Sequence, residues 1–157
     1  MGTTLEEQVG ESLRESGGTV ATAESCSGGL ISHRITNVPG SSAYFKGGAV
    51  TYSNEAKVRI LGVDERAIEE HGAVSEQVAR EMADGARERF TTDYAVACTG
   101  VAGPTGGTDD KPVGLVYVAV ATPGGTRVER CLFEGDRERI KEQTADRALT
   151  MLLESIE

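Results

Sequence analysis

Leu5, Val9 and Leu13 recur at every fourth position, the spacing of one apolar helix face, and predict a helix over residues 5–16. Thr3 or Thr4 can cap its start, and Gly17–Gly18 stops it. Residues 19–23 read as a short strand running into Glu24-Ser25-Cys26-Ser27-Gly28-Gly29, with a helix following to about Thr36 before Pro39–Gly40 breaks the chain. Residues 49–53 predict a second strand, and Asn54 is placed to cap a short helix carrying Lys57. Asp64 opens another short helix that ends near Gly72. Ser75 opens a longer one, with Val78, Met82 and Ala86 on one face. Residues 93–99 form an apolar strand that flows into a second glycine-rich loop, residues 99–107. Residues 113–122 are nearly all apolar, as in a central strand buried on both faces. Pro123-Gly124-Gly125 turns the chain into residues 126–133, whose alternation marks an antiparallel neighbour. Asp136 begins the last helix, with Ile140, Ala145, Leu149, Leu152 and Leu153 inward. This order, with one clear hairpin, implies an α/β fold: a three-layer α/β/α sandwich on a mixed, mostly parallel sheet of about five strands. No repeat, linker or low-complexity tract interrupts it, so residues 1–157 read as a single domain.

Composition narrows the function classes. Hydrophobic residues make up 38% and aromatics 4%, with no Trp, so the core must be aliphatic. The net charge of −9 lacks the basic field that general nucleic-acid binding requires. An acidic chain with four Lys against twelve Arg fits adaptation to high salt, and it fits an ordinary acidic cytosolic protein equally. No apolar run approaches the ~20 residues of a membrane span, and the N-terminal stretch has no signal-peptide core. Cys26, Cys98 and Cys131 are odd in number and widely spaced, which predicts reduced thiols in the cytoplasm rather than a zinc or redox motif. His33 and His71 lack an evident partner. Neither a metal nor a cofactor is expected.

The chemistry-bearing stretch is residues 40–57, where a hydroxyl (Ser42), a phenol (Tyr52) and an amine (Lys57) stand close in sequence. A serine needs a neighbouring base to become a nucleophile. Lysine serves as that base only when neutral, which requires burial or a nearby cation. Tyr52 can relay a proton or hold the lysine. The two glycine-rich loops follow strands, where open α/β sheets collect ligands, but neither is a P-loop nor a dinucleotide fingerprint. Cys26, at the start of a predicted helix, is a thiol alternative to Ser42. Glu24 has two open roles: anchoring the Ser25 loop, or meeting a ribose hydroxyl.

The blocks TAESCSGGLISHRIT, GSSAYFKGGAVTYSNEAKVRILGV, HGAVSEQVA, TGVAGPTGG, KPVGLVYVAV and FEGDRERI occur in this order. Together they resemble the CinA C-terminal domain family, whose stand-alone members include nicotinamide-nucleotide amidohydrolases. The resemblance runs from about Leu5 to the last helix. It implies a Ser–Lys amidohydrolase that acts on nicotinamide mononucleotide (NMN) in pyridine-nucleotide salvage. By motif position it gives catalytic roles to Ser42, Lys57 and Tyr52, and places Ser25 and Arg137 in the same site. Arg137 is then the expected phosphate ligand. Gly28, Gly29, Thr99, Gly100, Gly103 and Thr105 of the two loops are expected to contact substrate. A small-molecule partner and a homodimer are implied. The alternative is a non-catalytic binding module of the same fold, linked to competence or a DNA-damage response.

Overall fold

A computed structural model describes residues 3–156. Helix α1 (Leu5–Ser16) begins at Thr4, whose hydroxyl accepts from the Glu7 N–H, and ends at Gly17 in the left-handed conformation. Val9 and Leu13 are fully buried, worth roughly 1.5–3 kcal/mol each. Strand β1 (Val20–Glu24) is buried at every position and leads into α2 (Leu30–Thr36). A single 3-10 turn (Ser41–Ala43) precedes β2 (Phe45–Val50). Three helices follow: α3 (Asn54–Leu61), α4 (Glu65–His71) and α5 (Glu76–Phe90). Strands β3 (Tyr94–Gly100), β4 (Leu115–Thr122) and β5 (Gly125–Leu132) then lead to the final helix α6 (Arg137–Ser155).

The sheet order is β2-β1-β3-β4-β5. The β1–β2 and β1–β3 pairs are parallel, whereas β3–β4 and β4–β5 are antiparallel. The mixed five-stranded sheet is therefore as expected, with its pairings divided evenly between the two kinds. Two apolar clusters pack on its two faces. One joins α1, α2 and α6 through residues such as Leu13, Ile31 and Leu149, and the other joins α3, α4 and α5 through Leu61, Ala67 and Met82.

Two boundaries differ from the sequence reading. Strand β2 starts at Phe45, four residues early, because Gly47 and Gly48 pair with Ala21 and Thr22 of β1 instead of turning. The cap of α3 is Ser53, whose hydroxyl accepts from the Ala56 N–H, not Asn54.

One packing contact bears on the site. A Cβ at Gly85 of α5 would overlap the carbonyl oxygen of Leu61 in α3. Glycine inside a helix costs about 1 kcal/mol relative to alanine. Here it lets the backbones of α3 and α5 touch.

Candidate active site

Strands β1, β2 and β3 run the same way, so their carboxyl ends open at one edge of the sheet. Glu24 pairs with Val50, and Ala23 with Ala97. Extending that register one or two steps brings Ser25, Thr51 and Thr99 side by side. This is where open α/β sheets place ligands.

A cavity of about 290 Å³ lies there, lined by Ser25, Cys26, Tyr52, Asn54, Lys57 and Arg137 and by the loop from Thr99 to Gly106. A larger groove of about 430 Å³ runs between α3 and α4, but Asn54, Glu55, Val58, Arg59, Glu65, Ile68 and Glu69 offer it no nucleophile. Of the two, the smaller cavity holds a hydroxyl beside a buried amine.

Lys57 reaches it from α3, across the strand ends, with only 2% of its surface exposed. Its Nζ lies 3.0 Å from Ser25 Oγ and 2.9 Å from the Thr51 carbonyl oxygen. Burial pulls the lysine pKa below its usual value, and the nearby sulfurs of Cys98 and Cys26 oppose that pull. No carboxylate contacts the amine among the described residues. The Thr51 carbonyl is itself fixed, because the Thr51 N–H donates to the Glu24 carbonyl at 2.7 Å.

On the opposite wall Arg137, the first residue of α6, donates to the Gly103 carbonyl and to the Tyr52 hydroxyl, both at 2.6 Å. Tyr52 is 60% exposed and overhangs the cavity. Thr99 donates to the Ala73 carbonyl at 2.9 Å, which joins the β3 loop to the segment after α4.

The structure brings together Tyr52, Lys57, Ser25, Thr99, Gly100, Gly103, Thr105 and Arg137. It does not bring in Ser42. That residue is exposed on the 3-10 turn at the amino end of β2, whereas Lys57 binds Thr51, just past the carboxyl end. Six residues of extended β2 intervene, a span of roughly 20 Å. The hydroxyl that meets the lysine is Ser25. Gly28 and Gly29 also lie outside the cavity lining. Their φ values of 61° and 104° form the turn into α2, a conformation that glycine adopts without strain. The sequence reading missed Asn54, Ala73, Val101, Ala102 and Gly106 as wall residues. The HGAVS and TGVAGPTGG blocks had already drawn attention to four of these positions.

Cys26 also faces the cavity. The neighbouring Cys98 thiol, together with burial, raises its pKa well above the ordinary value, so it stays protonated. That favours a packed thiol over a thiolate nucleophile. Among the described residues no group of three or more His, Cys, Asp or Glu side chains is arranged to hold a metal. No helix among the described residues is long and apolar enough to cross a membrane.

A buried lysine amine beside a serine hydroxyl, at the strand ends of a three-layer α/β/α domain, is the pair of groups that serine–lysine chemistry requires. Comparison with known proteins gives the family. The family model for the CinA C-terminal domain matches residues 2–156, and the chain belongs to that family. It is 59% identical over 140 residues to the CinA-like protein of Citrifermentans bemidjiense, a match covering 89% of this chain and 34% of that protein. It is 53% identical over 151 residues to the CinA-like protein of Acidobacterium capsulatum, covering 96% of this chain and 36% of that one. The chain thus spans about a third of the length of these curated relatives. Among solved structures it resembles the competence/damage inducible protein CihA of Agrobacterium tumefaciens, with a TM-score of 0.91 and 40% identity over 98% of both chains. It also resembles competence damage-inducible protein A (ComA) of Klebsiella pneumoniae, with a TM-score of 0.93 and 36% identity over 96% of this chain and 94% of the other.

Proposed function

We propose that this domain hydrolyses the carboxamide of nicotinamide mononucleotide, giving nicotinic acid mononucleotide and ammonia, with Ser25 as nucleophile and Lys57 as general base. One observation carries the mechanism: the buried Lys57 amine sits 3.0 Å from Ser25 Oγ, with burial favouring its neutral form. The choice of substrate rests on the family resemblance.

A neutral amine has two N–H donors and one lone pair. One N–H satisfies the Thr51 carbonyl, and in the neutral amine the lone pair can take the position on nitrogen that faces Ser25 Oγ. As Oγ attacks the amide carbon, Lys57 takes that proton and the carbonyl oxygen becomes an oxyanion. The resulting ammonium gives its proton to the leaving nitrogen, and ammonia departs from an acyl-serine. Water then attacks the ester with Lys57 again as base, releasing the acid and restoring Ser25. Backbone N–H groups of the Gly100–Gly106 wall are suited to the oxyanion. At the mouth Arg137 uses two of its five N–H donors on Gly103 and Tyr52, leaving three for the substrate phosphate. Its place at the first turn of α6 adds the helix dipole to that attraction. The exposed Tyr52 ring offers a face for the pyridine ring.

The test is ammonia release from NMN, nicotinamide and glutamine by the purified protein. Release from NMN that is abolished in Ser25→Ala supports the reading. Tight NMN binding with no release would favour a non-catalytic binding module instead.

A further inference from the structure

Glu24 and Lys57 are the only buried carboxylate and the only buried ammonium-type side chain among the described residues, and they do not pair. They stand on either side of Ser25. Among the described residues, every hydrogen bond to the Glu24 carboxyl group comes from a donor in the next stretch of chain. Oε1 accepts from Ser27 Oγ at 2.6 Å, from the Ile31 N–H at 2.9 Å and from the Gly29 N–H at 3.1 Å. Oε2 accepts from the Ser32 N–H at 2.9 Å and from Ser32 Oγ at 2.6 Å. A carboxylate has about four lone-pair sites, so five donors saturate it. Nothing remains for a ribose hydroxyl, and the group is 0% exposed.

These five bonds hold both ends of the turn that presents Ser25. The turn closes on itself through the Gly28 N–H to the Ser25 carbonyl at 3.0 Å and the Leu30 N–H to the Ser27 carbonyl at 3.1 Å. Through its own carbonyl Glu24 also fixes Thr51, which in turn holds the Lys57 amine. One residue thereby sets the positions of both the hydroxyl and the amine.

We infer that Glu24 is a positioning residue: its carboxylate locks the Ser25–Gly29 turn so that Oγ meets Lys57, and its complete use by local donors keeps it from pairing with that amine. The inference rests on the Ser25–Lys57 reading above. Glutamine at position 24 keeps the shape, but its NH₂ must face an N–H or hydroxyl donor, and one edge of the turn is released. A displacement of about 1 Å at a reacting atom costs on the order of 10²-fold.

The experiment compares wild type with Glu24→Gln, Ser32→Ala and Ser27→Ala. Three quantities are measured: kcat and KM for NMN, the rate at which a fluorophosphonate probe labels Ser25, and the pH titration of the Lys57 amine by nitrogen-15 NMR. Only four lysines make that spectrum simple. Folded Glu24→Gln should lose on the order of 10²-fold in kcat and in labelling rate, with KM changed by less than about threefold. Its Lys57 titration should move up toward the ordinary lysine value as the turn admits water. A purely structural role would lower the melting temperature but leave labelling per folded molecule and the lysine titration unmoved. If Glu24→Gln fails to fold, the two serine variants decide, each expected to slow labelling without raising KM. Labelling and lysine titration unchanged in every folded variant would overturn the inference. A wild type inert to probe and amides alike refutes the hydrolase reading, whereas an upward lysine titration in the variants still upholds the positioning role.

Discussion

Replacing Ser25 and Ser42 by alanine, one at a time, separates spatial from sequence proximity. Ser25→Ala removes the hydroxyl 3.0 Å from Lys57 and leaves the amine a single polar partner, the Thr51 carbonyl. Loss of a nucleophile lowers kcat by about 10³-fold or more, at least ~4 kcal/mol of barrier. Leaving a buried donor under-satisfied costs about 1–3 kcal/mol, which for a domain of this size is a fall in Tm on the order of 2–12 °C. Ser42 is exposed on its 3-10 turn, and no side-chain hydrogen bond holds it among the described residues. Ser42→Ala should change stability by no more than about 0.5 kcal/mol and leave turnover near wild type. The assay is coupled ammonia release from NMN, with thermal melts on the same preparations. An inactive Ser42→Ala beside an active, folded Ser25→Ala would refute the assignment and return the nucleophile to the β2 turn.

Four further outcomes are expected. Lys57→Arg and Lys57→Met should both be nearly inactive, because guanidinium stays protonated and thioether accepts no proton, and near-normal turnover in Lys57→Arg would make the lysine only an anchor. The folded state holds the Lys57 pKa below its unfolded value of about 10.4, so the unfolded chain binds more protons between the two, and wild-type stability should rise with pH across that window; denaturant melts should show this slope weakened in Lys57→Met. Arg137→Ala should raise KM for NMN much more than it affects any turnover of nicotinamide riboside, which lacks the phosphate, whereas equal damage to both would reduce Arg137 to a brace for Tyr52 and the Gly103 loop. Cys26→Ser should keep most activity, and its loss would revive the thiol nucleophile.

The elements that were legible in the sequence are those whose signal is local. Thr4 and Gly17 bound α1, Ser75 caps α5, and the Pro123-Gly124-Gly125 turn makes the β4–β5 hairpin. Strand β2 was clipped because Gly47 and Gly48 resemble turn residues, and only pairing with β1 makes them strand. Lys57, Tyr52 and Arg137 were legible as chemistry. The partner of the lysine was not, for a geometric reason. Ser42 is near Lys57 along the chain, but a strand holds them apart. Ser25 is 32 residues away, and parallel pairing of β1 with β2 makes it a neighbour. Separation along the chain carries no information about which strand ends adjoin.

The contact between Gly85 and Leu61 gives the site a remote adjustment. Leu61 lies one helical turn beyond Lys57 on α3, so the height at which that helix rests on α5 sets how far the amine reaches over the strand ends. Any side chain at position 85 must lift α3, although Gly85 itself never borders the cavity. Mutational tolerance in this domain will therefore not fall off smoothly with distance from Ser25. A survey restricted to the cavity wall would overlook one of its least replaceable positions, and a protein engineer seeking to retune the base could begin on the far side of the helix that carries it.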